Sequence, residues 1–177
     1  MHRSVSLLLV LLLSACAGAD TPSLLKIGHS ISEGEIANWD IDVSPGNGGL
    51  PPGRGSVAEG RAVYAQSCAA CHGAEGDDGS APKLRGGRVS LASSKPLPTV
   101  GSYWPYAETL FDYVRRAMPF DRPGSLTDDQ VYAVTTYLLR INDIVAEDAE
   151  LDATRLPQVH MPNRNGFVPD PRDANHL

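Results

Sequence analysis

The sequence predicts an all-α domain with loop-rich arms at both ends, and three observations carry that reading. Two capping boxes, Ser56 with Glu59 and Thr127 with Gln130, open runs whose apolar residues recur at helical spacing. A third run, "YAETLFDYVRRA", has the same periodicity and is stopped by Pro119. No stretch alternates apolar and polar residues as a half-buried strand would.

The N-terminal residues are read apart from that domain. After Arg3 about nine residues run apolar and end in Leu13, Ser14, Ala15 and Cys16. That run is too short to cross a bilayer as a helix, for which about 20 residues are needed, and it reads as an export signal. The closing quartet resembles the bacterial lipoprotein box, which implies cleavage after Ala15 and a lipid-modified Cys16. The protein would then be exported and held by lipid to the periplasmic side of a bacterial membrane. A plain secretory signal with an incidental cysteine is the alternative.

Residues 17–26 read as a tether. A short amphipathic piece is expected around Glu33 to Trp39, followed by a Pro/Gly-rich loop through Asn47 to Gly53 in which turn chemistry dominates. The helix opened by Ser56 places Val57, Tyr64 and Ala65 on or near one face and delivers Cys68 at its end. A loop of unusual length runs from Gly73 to about Pro105, and it needs something other than side chains to organise it. The next helix carries Leu110, Val114 and Ala117. The last carries Val131, Val134, Leu138 and Ile141, with Asp128 and Asp129 in its positive first turn. Beyond Glu147 the chain is polar and Pro-rich and reads as a surface-wrapping tail.

Composition excludes one class of function. A formal charge of −6 and a pI near 5.3 leave no basic face for nucleic acid.

The chemistry is concentrated in "VYAQSCAACHGAEG". With Cys16 committed elsewhere, Cys68 and Cys71 are a single close pair and no disulfide framework. Cys-x-x-Cys followed directly by His is the c-type haem attachment signature. Two thiols at a helix end can form thioethers to the vinyl groups on one porphyrin edge, and His72 can then coordinate iron. A thioredoxin-like pair would want a βαβ context. A zinc site would want two further ligands at matching spacing. The sequence supplies neither. One covalent haem c would also give the long loop a centre to pack around. For the opposite axial position the candidates are Met118, Met161, His29, His160 and His176; Met118, between a helix and Pro119, is preferred. A thioether ligand favours the reduced iron, and with both axial positions filled the chemistry is outer-sphere electron transfer. A haem enzyme or gas sensor would require Met118 not to ligate.

The core from Ser56 to about Ile144 resembles class I cytochromes c. In that family a Gly and an aromatic precede the first haem Cys by eight and four residues, and Gly60 and Tyr64 stand there. They are expected to meet Val134 and Tyr137 of the last helix. The resemblance also matches a Pro-x-Leu to Pro82 and Leu84, with the Pro82 carbonyl accepting the His72 Nδ1 proton. Tyr103 and Trp104 are candidates to donate to the haem propionates, or else pack at the loop–helix junction. Arg85, Arg88, Arg115 and Arg116 are candidates for propionate or partner contacts.

A narrower resemblance covers nearly the whole exported chain. The phrases "VGSYWPYAETLFDYVRRAMPF", "SLTDDQVYAVTTYLLRIN" and "MPNRNGF" look like the cytochrome subunits of periplasmic sulfite and sulfur dehydrogenases. Those cytochromes are often dihaem, whereas this chain has one attachment site. The resemblance implies an electron carrier, not itself an enzyme, that accepts electrons from a molybdenum-cofactor subunit and passes them to a downstream cytochrome or oxidase. An autonomous membrane-tethered shuttle is the alternative. The resulting division is a leader (1–15), a tether (16–26), an N-terminal arm (27–55), the cytochrome domain (56–145) and a C-terminal tail (146–177).

Overall fold

The computed structural model describes residues 28–46 and 48–170. Cys16, His176, the leader and the tether lie outside the described residues. The chain divides into two compact units, Met1–Asp40 and Ile41–Leu177. In the first, α1 (Glu33–Ile36) is a single turn closed by a Ser32–Glu35 capping box, and it buries no residue.

The second unit holds β1 (Arg54–Ser56), α2 (Val57–Ser67), α3 (Ala69–His72), α4 (Ala107–Ala117), α5 (Asp128–Arg140) and β2 (Glu150–Asp152), then a 3₁₀ turn, Leu156–Gln158. Both predicted capping boxes form: Ser56 and Thr127 accept from the N–H groups of Glu59 and Gln130, whose side chains accept in return from the cap backbone. α5 is the central element. Every residue from Val131 to Leu139 is buried, so the predicted single apolar stripe understates its contacts. It packs against α2, β1, α4 and β2.

The closest of these contacts involves three small residues. A Cβ added at Gly60 would overlap the Ala133 carbonyl, and one at Gly55 would overlap the Ala133 backbone. Ala133, rather than the expected Val134, is therefore where α2 meets α5. Tyr137 holds its predicted place, its ring 5.1 Å from that of Tyr64. Thr136 shares its hydroxyl hydrogen between the Tyr132 and Gly55 carbonyls, which ties β1 to α5. Ala65 is exposed and takes no part.

Two expectations are corrected. The fold is not purely α-helical: β1 pairs antiparallel with β2, Gly55 opposite Leu151. Three-residue strands carry no legible alternation, and their pairing spans almost the entire domain. The chain beyond residue 145 is also no mere surface wrapping, because Leu151, Leu156 and Met161 are buried in the core. The arm divides likewise. Val43 is buried and its N–H donates to Asp112 on α4, while Tyr132 donates to the Pro51 carbonyl.

The long loop is organised largely by the protein's own polar groups. The Asn142 side chain, just past α5, accepts from Gly86 N and donates to the Leu84 and Leu138 carbonyls at 2.9–3.1 Å. Thr99 and Ser102 satisfy the Gly86 and Leu97 carbonyls in the same way.

Replacing Gly60 by Ala should force α2 and α5 apart and cost about 3 kcal/mol in chemical denaturation, at the upper end of overpacking effects. Asp112 yields a second expectation. Burial opposes its charge, yet hydrogen bonds from Arg116 and Val43 N–H, with the nearby guanidinium charges, outweigh burial and hold the carboxyl below the usual range. Its contribution is therefore present above the unfolded value of about 3.9 and is lost as pH falls through the folded one. Asp112→Asn should lower the melting temperature at neutral pH and flatten its decline between about pH 5 and pH 2.

Candidate haem-attachment site

Helix α2 ends on Cys68, its C-cap, whose N–H still reaches the Tyr64 carbonyl. The chain then makes one further turn, α3, which brings Cys71 and His72 round after Cys68: the N–H groups of both donate to the Cys68 carbonyl. Gly73 leaves that turn with φ 84°, a conformation glycine adopts without strain. Tyr64 returns from the previous turn to donate its hydroxyl to the Gly73 carbonyl at 2.8 Å. The aromatic four residues before the first thiol thus locks the far end of the attachment turn.

The following loop folds back against the same turn. Ala81 N donates to the Cys71 carbonyl at 2.8 Å. Gly79 must be glycine, because a Cβ there would strike the Cys71 carbonyl and Gly73 N. This return brings the Pro82 carbonyl within 2.8 Å of His72 Nδ1. With Nδ1 acting as donor, Nε2 keeps its lone pair for a metal. Leu84 is pinned two residues on, its N–H to Gly76 and its carbonyl to Asn142.

The thiols are not joined to each other. Burial pushes the Cys68 thiol up to about 11, with the neighbouring Cys71 adding to the effect. A thiol kept protonated is a poor redox nucleophile, which weighs against a thioredoxin-like pair. Among the described residues no three His, Cys, Asp or Glu side chains gather as a metal cluster. The donors this turn brings together are two thiols and one oriented imidazole, which fit covalent haem rather than tetrahedral zinc.

Met118 caps α4 in extended conformation, its N–H on the Val114 carbonyl, and it packs half-buried on the hydrophobic core. Cys68, Leu84, Trp104 and Ile141 are likewise half-buried against that core. The other axial candidates have different surroundings. Met161 is fully buried as core, and His29 and His160 are exposed.

Trp104 is half-buried between two rings, 6.1 Å from Tyr103 and 5.7 Å from Tyr113. Tyr103 is exposed. The arginines divide. Arg115 pairs with Asp128 and Arg116 with Asp112, so both serve the fold. Arg88 donates to the Asn142 carbonyl, while Arg85 stands 3.9 Å from Glu75. Sequence reasoning missed Asn142, Gly79 and Tyr113. Asn142 gave a faint signal by lying just past the last helix; the roles of the other two depend on chain returning from elsewhere.

Comparison with known proteins identifies the family. Residues 55–138 match the family profile of cytochrome c oxidase, cbb3-type, subunit III. The thiosulfate dehydrogenase of Stutzerimonas stutzeri (strain A1501) is 33% identical over 89 residues, 50% of this chain and 28% of that protein. The chain thus spans under a third of that relative's length. The crystal structure of the sulfane dehydrogenase SoxCD from Paracoccus pantotrophus contains a chain 45% identical to this one, with a TM-score of 0.77 over 84% of this chain and 74% of that one. That likeness extends well beyond the attachment domain, and with it the chain belongs to the cytochrome c family, as a mono-haem member that carries haem c and is similar to dehydrogenases of sulfur compounds.

Proposed function

We propose that this cytochrome is the electron-accepting subunit of a sulfite or sulfur dehydrogenase whose catalytic partner holds a molybdenum cofactor. The observation that carries the reading is the reach of the likeness to the SoxCD chain, at 45% identity over 84% of this chain. A generic shuttle would need to share only the attachment domain.

In this reading Cys68 and Cys71 would hold the haem by thioethers, His72 Nε2 and the Met118 thioether would ligate its iron, and Leu84, Tyr103 and Trp104 would line its surroundings. The haem supplies a one-electron Fe(III)/Fe(II) couple. The protein's contributions are positional. The Pro82 carbonyl fixes the His72 ring and raises its basicity as a ligand. The α4 terminus holds Met118, and its thioether favours the reduced state. Apolar surroundings exclude water. No proton or substrate atom need move, so the chain is an electron carrier and the oxidation of sulfur belongs to the partner. The electron leaves for a downstream cytochrome or oxidase.

Among the described residues no helix is long and apolar enough to cross a membrane. A lipid on Cys16 would supply attachment at the periplasmic face. One observation favours the second reading, an autonomous tethered shuttle: the C-terminal segment is engaged with its own domain, since Asn163 donates to the Tyr103 carbonyl and Met161 is core.

Met118→Ala should abolish the far-red ferric band of methionine-ligated iron and lower the reduction potential steeply; an unchanged spectrum would transfer the axial role to another residue. Detergent extraction of native membranes followed by gel filtration should yield the cytochrome co-eluting with molybdenum. Elution as a lone cytochrome favours the shuttle, and release without detergent rejects the lipid anchor.

A further inference from the structure

The segment from Met161 to Phe167 makes three separate contacts across about 60 residues of sequence, and all of them fall on one short stretch, Tyr103 to Tyr106. Met161 roots the segment in the core with no exposed surface. Two tight turns follow, Arg164 N to the Met161 carbonyl at 3.1 Å and Gly166 N to the Asn163 carbonyl at 3.0 Å. Gly166 allows this because any Cβ there would collide with the Asn163 side chain. From these turns Asn163 Nδ2 donates to the Tyr103 carbonyl at 2.8 Å. The Arg164 guanidinium lies over the Tyr106 ring, 4.2 Å from its centroid, a cation–π contact. Phe167 meets Tyr103 edge-on at 5.4 Å.

Trp104 is the residue that these anchors bracket. Its own ring makes no hydrogen bond among those described, and it is fixed by its backbone neighbours and by Tyr103 and Tyr113. Tyr113 stands on α4, the helix that ends at Met118. A half-buried indole packed on rings and on one edge of the core, with no hydrogen bond of its own among those described, can turn outward if the chain on either side of it is released.

We propose that Met161–Phe167 is a strap whose Asn163 and Arg164 are positioning residues, holding Trp104 against the haem site and so setting how well that site excludes water. The inference rests on the proposed haem site of Cys68, Cys71, His72 and Met118. It deepens that reading by giving this segment a role in the electron carrier itself rather than in partner docking. Loss of the strap admits water, which favours the ferric state, so the potential falls.

The test uses holoprotein carrying Trp39→Phe, which leaves Trp104 as the sole tryptophan. Asn163→Ala with Arg164→Gln should raise hydrogen exchange at Tyr103–Tyr106. It should also raise Trp104 emission several-fold, because the indole moves away from the quenching haem, and lower the reduction potential while the far-red band persists. Arg164→Lys alone, which keeps the cation, should restore all three towards the parent and gives a milder variant if the double change fails to fold. Raised exchange with emission and potential unchanged would overturn the proposal, as would unchanged exchange. A parent protein already lacking the far-red band would instead remove the haem-site reading, and this inference with it, before any strap variant is made.

Discussion

The fold depends on one backbone approach, that of Gly55 and Gly60 to Ala133. Where side chains this small face each other, two elements come close enough for their main chains to touch. The larger residues on either side then interdigitate instead of colliding. The Tyr64–Tyr137 ring pair, between α2 and α5, is placed in this way. Because α2 ends at Cys68, fixing α2 against α5 also fixes the attachment turn. The site is thus built at the end of an element whose position is set about two turns earlier, by an atom that glycine lacks.

A second constraint is polar. The loop after His72 contains little regular structure, yet its backbone groups near α5 find partners in Asn142, Thr99 and Ser102. An unpaired buried carbonyl or N–H would cost on the order of 1–3 kcal/mol, so these few side chains decide the loop's course. That course delivers the Pro82 carbonyl to His72, and ring orientation follows from it. The His72 imidazole is consequently linked to the C-terminal end of α5 through a chain of hydrogen bonds and short backbone.

What could be read from the residues, and what could not, follows the range of the interactions. Capping boxes act within one helical turn, so Ser56–Glu59 and Thr127–Gln130 were visible in sequence and are present. The Tyr64 hydroxyl on the Gly73 carbonyl spans nine residues and was anticipated only as an aromatic position. The pairing of β1 with β2 spans nearly a hundred residues through strands too short to show a period, and it left no trace. The fate of the C-terminal segment was likewise hidden. A polar, Pro-rich stretch gives no hint that Leu151, Leu156 and Met161 will be buried, because three apolar residues at irregular spacing define no face.

By itself the sequence determined the cofactor chemistry: two thiols and an imidazole in adjacent positions admit few other uses, and covalent attachment depends on local spacing alone. It also determined where the helices that frame the attachment start and stop. Tertiary structure decided which carbonyl orients His72, which small residue receives Gly60, and that the segment Met161–Phe167 closes over Tyr103 and Tyr106. Each of these is a contact between groups far apart along the chain, and its existence depends on how the intervening residues pack rather than on what they are one by one.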